Sequence, residues 1–453
     1  MPAPSKGALS LRERPAPSRP RRRASSSALV AAFLALPVLA GAVPTSAAAP
    51  KTPPPVSITY WAGHASGALH RAVVAEVAQF NRTHPGIHVT FHAVGASKHG
   101  LAAFEAGQAP DVGMVSSYIV SQLAGAGALQ SLQPYLQGAN GLTAKQIAED
   151  YYPAVWNDMV GSGGKRYMMP LEKKTLLVVF YNRTLFGKAG IATAPRTWAQ
   201  VGQDAARITR LGARIHGIAW TPRLSQFFDM VLSDGGQVFA PGTPRTHFAL
   251  VNPGAERTLT MLRSWVQSGS MIVTSGYQYQ LDFGTGDIGL LIDASAGYTY
   301  DKGSVGGKFP MLAVSAPAGT SGHSAQYING ASLVMFNVGT PQQKAAAWTF
   351  VKWMSSPQTN TYWNTHTNYV PLGPAVYASM RGFYKQHPNW AASYSNPAHW
   401  WYKPRVNASA YEAAKTNMMV PFLKGLNGQL SVVAALQQMN TVGNSYLSGK
   451  VRG

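Results

Sequence analysis

Residues 56–94, VSITYWAGHASGALHRAVVAEVAQFNRTHPGIHVTFHAV, carry a strand, a helix and a second strand in immediate succession. Ile58, Tyr60 and Trp61 are β-prone and run into Ala62-Gly63-His64, while Leu69, Val73, Val77 and Phe80 recur at helical spacing. Ile87, Val89 and Phe91 then alternate with His88, Thr90 and His92, which gives a strand with one buried face after a turn through His84-Pro85-Gly86. A strand-helix-strand start requires a crossover and a parallel pair, so the chain is expected to build open α/β sheets. Such sheets take ligands at the carboxyl ends of their strands.

The unit stands directly behind an export signal. Residues 29–43 form an apolar run after Pro20-Arg21-Arg22-Arg23, and Thr45-Ser46-Ala47-Ala48-Ala49 supplies small residues for cleavage. We read residues 1–49 as a secretory signal peptide cleaved near Ala49, and 50–55 as a stiff Pro-rich linker. The apolar run is shorter than the ~20 residues that span a bilayer and is broken by Pro37. Ala24-Ser25-Ser26 lacks the apolar continuation of a twin-arginine leader. With no cysteine in the sequence, disulfides, cysteine metal sites and a lipid-modified N-terminal cysteine are excluded, so an exported, extracytoplasmic protein without that anchor is expected.

At 453 residues the chain exceeds one compact core, and two lobes are expected. Its 38 basic residues face 17 acidic ones, a net charge of +21, although charged residues are only 12% of the chain. The bases are scattered singly among Gly, Ala, Ser and Thr, which argues against a nucleic-acid stripe. Scarcity of Asp and Glu suits a protein in acid surroundings, and attraction to an anionic envelope is the competing account.

Past residue 94 strand and helix patterns keep alternating. A helix over 101–104 leads to a strand entered through Pro110-Asp111, and the next helix ends at Gly125-Ala126-Gly127. Strands follow at 176–180, 288–292 and 331–336. Thr197 caps a helix with Trp198, Val201, Ala205 and Ile208 on one face, and another helix covers 259–266. Pro341 opens a helix with Ala347, Phe350, Val351 and Met354 inward, and Val432, Leu436, Met439, Val442 and Tyr446 mark the last. Mainly parallel sheets are expected, with the working site in the loops after Trp61, Val115, Trp220 and Ile292.

Little in the sequence supports catalysis. Gly284-Thr285-Gly286-Asp287-Ile288-Gly289 fits GxGxxG but precedes a strand, and Gly161-Ser162-Gly163-Gly164-Lys165 lacks the first glycine of a P-loop. HExxH and GxSxG are missing, and His84, His88 and His92 need not converge in strand geometry, so neither cofactor nor metal is expected. A secreted carbohydrate-active enzyme, with Glu172 and Asp293 as candidate carboxylates, is the alternative of a different class. Aromatics in or beside loops, Trp61, Trp220, Tyr369 and the pair Trp400-Trp401, suit stacking on a sugar face. Trp198, Trp265, Trp348 and Trp353 lie on helices and are expected to pack.

The order of ITYW, FNRTHPGIHV, FEAGQAPDV, MMPLEKKTLLVVFYN, PRTWAQ, FGTGDIGLLIDASAG, INGASLVMF and AAWTFVKWMSSPQTNTYWNTHTNYVPLGPAVY resembles the bacterial extracellular solute-binding proteins of ABC importers, the maltose-type and glycerol-3-phosphate-type carbohydrate binders. The resemblance implies a two-lobed periplasmic-binding-protein fold of type II: residues 56–170 with 326–364 as the N-terminal lobe, 171–325 with 365–453 as the C-terminal lobe. It also implies no enzymatic activity, closure on a sugar, polyol or oligosaccharide, delivery by a monomer to a membrane permease, and indirect coupling to an ATPase. Ser295, Gly330 and Tyr369 resemble ligand contacts of the glycerol-3-phosphate branch, and Arg405 its phosphate-binding arginine. Ser116-Ser117-Tyr118 replaces an acidic loop residue of that family, and Glu172-Lys173-Lys174-Thr175 a serine-rich stretch. Lys174 and Arg405 would hold a phosphate, whereas Trp61, Trp220 and Tyr369 suit an uncharged ring, with Trp61 and His64 at the rim, so glycerol-3-phosphate or a glycerophosphodiester is the alternative ligand.

Overall fold

The computed structural model describes residues 54–161, 164–175, 177–242, 246–403 and 408–450. The expected signal peptide, residues 50–53 of the expected linker, Ser162 and Gly163 of the 161–165 glycine run, Leu176 and Arg405 lie outside the described residues. In chain order the strands are β1 Val56–Trp61, β2 Ile87–His92, β3 Val112–Ser116, β4 Met169–Pro170, β5 Lys174–Thr175, β6 Val178–Asn182, β7 His216–Trp220, β8 Met271–Val273, β9 Ile288–Asp293, β10 Met311–Ser315, β11 Gln326–Asn329, β12 Ala331–Met335 and β13 Trp400–Trp401.

The opening unit folds as its pattern dictates. Helix Gly67–Thr83 buries Val73, Val77 and Phe80, and β2 lies parallel to β1 with Val89 inward and His88, Thr90 and His92 exposed. The first sheet has the order β2-β1-β3-β12-β4 and the second β10-β6-β9-β7-β8. Each contains a parallel trio, β2-β1-β3 and β9-β7-β8, joined to antiparallel strands. The sheets are therefore mixed, more antiparallel than the expected mainly parallel arrangement. β12 and β6 enter directly from crossovers, without an intervening helix to reverse the chain, and so run against their neighbours.

The two sheets have separate cores. Ile58, Phe80, Leu333, Phe350 and Trp363 belong to the first, and Trp198, Ile218, Leu259, Ile292 and Leu436 to the second. Capping boxes at Thr197 with Gln200 and at Thr340 with Gln343 start helices Trp198–Thr209 and Pro341–Met354. Between the sheets lies a small ribbon, β13-β11-β5, made where the chain passes from one to the other. In β13 the two-residue period splits adjacent tryptophans: Trp400 joins the first core and Trp401 the second. Both are buried, so the pair does not offer its faces to a ligand.

Gly286 sits at the left-handed end (φ 96°) of helix Gln278–Thr285 and leads into β9. The glycine motif there is a helix stop followed by a strand, the reverse of a nucleotide cradle. His84 stacks on Phe80 with ring centroids 4.1 Å apart while His88 and His92 stay at the surface.

Candidate functional site

A cleft of about 930 Å³ opens where the crossover ribbon meets the strand ends of the second sheet. The loops after β7 and β9 supply Pro222, Arg223, Asp293, Ala294, Ala296 and Gly297, as expected for carboxyl ends of strands. The ribbon supplies Lys174 and Asn329, the first core Tyr369, and helix Ala408–Leu426 contributes Glu412 and Lys415.

Tyr277, Tyr279, Tyr300 and Tyr369 line the walls among polar and charged side chains. Gly276-Tyr277-Gln278-Tyr279 and Gly297-Tyr298-Thr299-Tyr300 each place one tyrosine inward and one outward. Tyr279 and Tyr298 are buried, whereas Tyr277 is 71% and Tyr300 57% exposed, and both exposed rings line the cleft. In each pair the buried ring anchors its loop and leaves the other's face bare.

Charged groups are mostly paired within the protein. Asp293 accepts from Arg223 Nη1 at 3.3 Å, Gln280 Nε2 at 3.0 Å and the Ala294 amide at 2.7 Å. Arg223 Nη2 also donates to the Tyr279 hydroxyl at 3.2 Å; burial and then Asp293 push that phenol's pKa upward. Glu412 holds Lys415 at 2.8 Å. Lys174 has no carboxylate partner among the described residues, and its ammonium stands 5.9 Å from the centroid of the Tyr369 ring.

Behind Tyr369 lies a buried acidic cluster. His64 Nε2 is 3.3 Å from Glu172 Oε2. Burial, followed by the Glu172 carboxylate, pushes the Tyr369 phenol well above its ordinary pKa. Deeper still, both oxygens of Glu76 and the hydroxyl of Tyr60 lack hydrogen-bond partners among the described residues. Burial, then Glu172, raises the Glu76 carboxyl well above the usual carboxylate range.

Of the residues expected from sequence, the cleft brings together Lys174 and Tyr369. His64 is one layer behind, on Glu172. Trp61 packs beside the cluster of Ala96, Val115 and Phe336 and does not line the cleft. Ser116 and Ser117 are half-buried away from it, the Ser116 amide donating to Ser97 Oγ at 2.8 Å. Trp220 is fully buried: its indole donates to Gln226 Oε1 at 2.7 Å, and its ring packs in the second core against Phe422. Ser295 is buried in the turn beneath the cleft wall, its hydroxyl unpartnered among the described residues. Gly330 also lies outside the lining; a Cβ there would collide with the Glu172 carbonyl, so glycine permits close approach of two crossing strands. Arg405 lies outside the described residues.

The profile of the family described as bacterial extracellular solute-binding protein matches residues 65–361, about two thirds of the chain. The chain belongs to the bacterial extracellular solute-binding proteins. Among solved structures of such binding proteins, it is similar to the cyclic α-maltosyl-1,6-maltose binding protein of Arthrobacter globiformis, with TM-score 0.75 and 19% identity over 87% of this chain and 100% of that one. UgpB of Mycobacterium tuberculosis, solved with glycerophosphocholine, has TM-score 0.72 and 18% identity over 87% and 99%. These likenesses establish the two-lobed fold of this solute-binding protein. By sequence it is 28% identical to a lipoprotein in the oleD 5′ region of Streptomyces antibioticus, over 37% of this chain and 36% of that protein. The chain spans about half or less of the length of the first curated relatives it matches.

Proposed function

We propose that this protein is the extracytoplasmic substrate-binding component of an ABC importer. It captures a sugar, polyol or oligosaccharide in the cleft, closes on it, and delivers it as a monomer to the membrane permease, the ATPase acting only through that permease. Exposure of Tyr277 and Tyr300 in the cleft carries this reading. Two bare rings are costly in water, and a pyranose face covers such rings while Asn329 and Gln280 reach its hydroxyls. A micromolar complex needs only about −8 kcal/mol, which stacking and a few hydrogen bonds supply.

Site membership is accordingly reassigned within the same cleft to Lys174, Arg223, Tyr277, Tyr300, Asn329 and Tyr369. The division between lobes is placed near β13 on its third crossing, because Tyr369, Leu372 and Trp400 pack with the first core. Glu172 and Asp293 are both engaged by protein partners, which favours capture over hydrolysis. Among the described residues no helix is long and apolar enough to cross a membrane.

A second reading, glycerol-3-phosphate or a glycerophosphodiester, is favoured by Lys174. Three helices also start at the cleft, Leu224–Ser233, Gln278–Thr285 and Tyr298–Val305, turning their positive ends toward it. Calorimetric titration with maltose, longer maltooligosaccharides, glycerol-3-phosphate and glycerophosphocholine separates the two. Saturable heat from the neutral sugars supports the first reading, and from the phosphate esters the second. Turnover of a glycoside with no saturable binding would end both.

A further inference from the structure

Asn368 is the only non-glycine residue with positive φ among the described residues, at 56°, and it is buried. It ends helix Pro357–Thr367 of the first core and immediately precedes Tyr369. Its amide nitrogen donates to the Ser295 carbonyl at 2.9 Å and to Ser393 Oγ at 3.0 Å. Ser295 opens the turn after β9 that carries the lining residues Ala296 and Gly297. The Ser393 carbonyl in turn accepts from Thr175 Oγ1 at 3.0 Å, next to Lys174. One side chain therefore links, directly or through Ser393, three segments that carry cleft residues: the Tyr369 loop, the Ser295 turn and the ribbon.

We propose that Asn368 is the positioning residue of the cleft, a clasp that fixes the Tyr369 side against the Ser295 turn and so sets the width at which the two lobes close. The inference rests on the importer reading for its ligand effects, but not for its conformational ones. The left-handed end of the helix accepts glycine or asparagine, and what asparagine adds is its side-chain amide. Both amide hydrogens meet acceptors, which an aspartate of the same shape could not satisfy. The clasp spans elements of the two sheets, so its loss frees their relative setting without opening either core.

The test uses the cysteine-free chain, in which Ala78→Cys in the first lobe and Ser264→Cys in the second accept spin labels at exposed sites. Interlobe distance distributions are measured on ligand-free protein for the parent, Asn368→Gly and Asn368→Asp. Broadening in both variants, with unfolding cooperativity retained, is the expected result. Glycine keeps the backbone comfortable and removes only the clasp, so an unchanged distribution in Asn368→Gly overturns the proposal. Should glycine fail to fold, the aspartate variant decides by the same criterion. Stopped-flow dissociation of maltose and of glycerophosphocholine is then followed, with about a tenfold faster release expected in both variants. If the parent binds neither probe, those two ligands are excluded for the importer reading while the distance result still decides the role of Asn368.

Discussion

Lys173 Nζ lies 2.9 Å from Asp158 Oδ2, with both side chains closed off from solvent, and Lys403 Nζ reaches the other carboxylate oxygen at 3.4 Å. Asp158 ends helix Pro153–Asp158 beside the first core, while Lys173 and Lys403 flank β5 and β13 of the ribbon. One carboxylate thus ties down two of the chain crossings. Burial alone would raise its pKa, but the two ammonium groups outweigh that and hold it below the ordinary carboxylate range.

Removing the carboxylate leaves a fully buried ammonium. Asp158→Ala is expected to lose about 3–5 kcal/mol in urea unfolding, and Asp158→Leu with Lys173→Met less than Asp158→Leu alone. Because the folded pKa is depressed, this contribution is present above about pH 4 and is lost as pH falls through the folded value.

Three other carboxyls have the opposite sign. Glu76, Asp229 and Asp301 are buried and raised well above their ordinary values, burial being the largest cause in each. Asp293 adds to the effect on Asp301, whereas the Trp401 indole and Tyr327 amide only moderate it at Asp229. A raised folded pKa destabilises as pH climbs from the unfolded value toward the folded one. Thermal unfolding is expected at higher temperature at pH 5 than at pH 7.5, consistent with acid surroundings. Glu76→Gln and Asp301→Asn should raise the melting temperature at pH 7.5 and change it little at pH 4.5; equal shifts at both would contradict this.

Tyr277→Ala and Tyr300→Ala should each weaken ligand binding by roughly 1–3 kcal/mol in calorimetry, with melting temperature within a degree or two of the parent. Loss of stability in place of affinity would mark the rings as packing groups.

Trp220→Ala should do the reverse. It empties a core site and is expected to cost about 3–5 kcal/mol of stability, with affinity preserved in whatever fraction folds. Lost affinity at unchanged stability would return Trp220 to the ligand.

Much of the fold was legible because local signals agreed with one another. The 3.6-residue period in helix Gly67–Thr83, the alternation in β2, the cap at Thr197 and the helix-opening Pro341 all describe the nearest few residues, which is the range a sequence exposes directly. The direction of β12 and β6 depended on how the chain returns from the other sheet, and no local pattern carries that. Tyr369 stood out as an aromatic beside a loop and Lys174 as a cation able to hold a phosphate, and the family resemblance added only to Tyr369. Trp220 misled because a strand-end tryptophan has the same sequence context whether its indole faces a ligand or finds Gln226 behind it. Tyr277 and Tyr300, which line the cleft, are absent from the residues expected from sequence although the repeated Gly-Tyr-x-Tyr pattern marks both loops; a glycine start with paired rings is the signal that points to them.

The ribbon β13-β11-β5 has a mechanical meaning. β11 is bonded on one edge to β13, through Gln326 opposite Trp400 and Tyr327 opposite Trp401. On its other edge Ile328 faces Thr175 and Asn329 faces Lys174. Laminated strands bend readily across their flat face but resist sliding past one another, since a slide breaks the rungs together. The molecule should therefore behave as a leaf spring with one soft axis, so that every ligand, whatever its shape, drives the same bending motion and differs only in how far it travels.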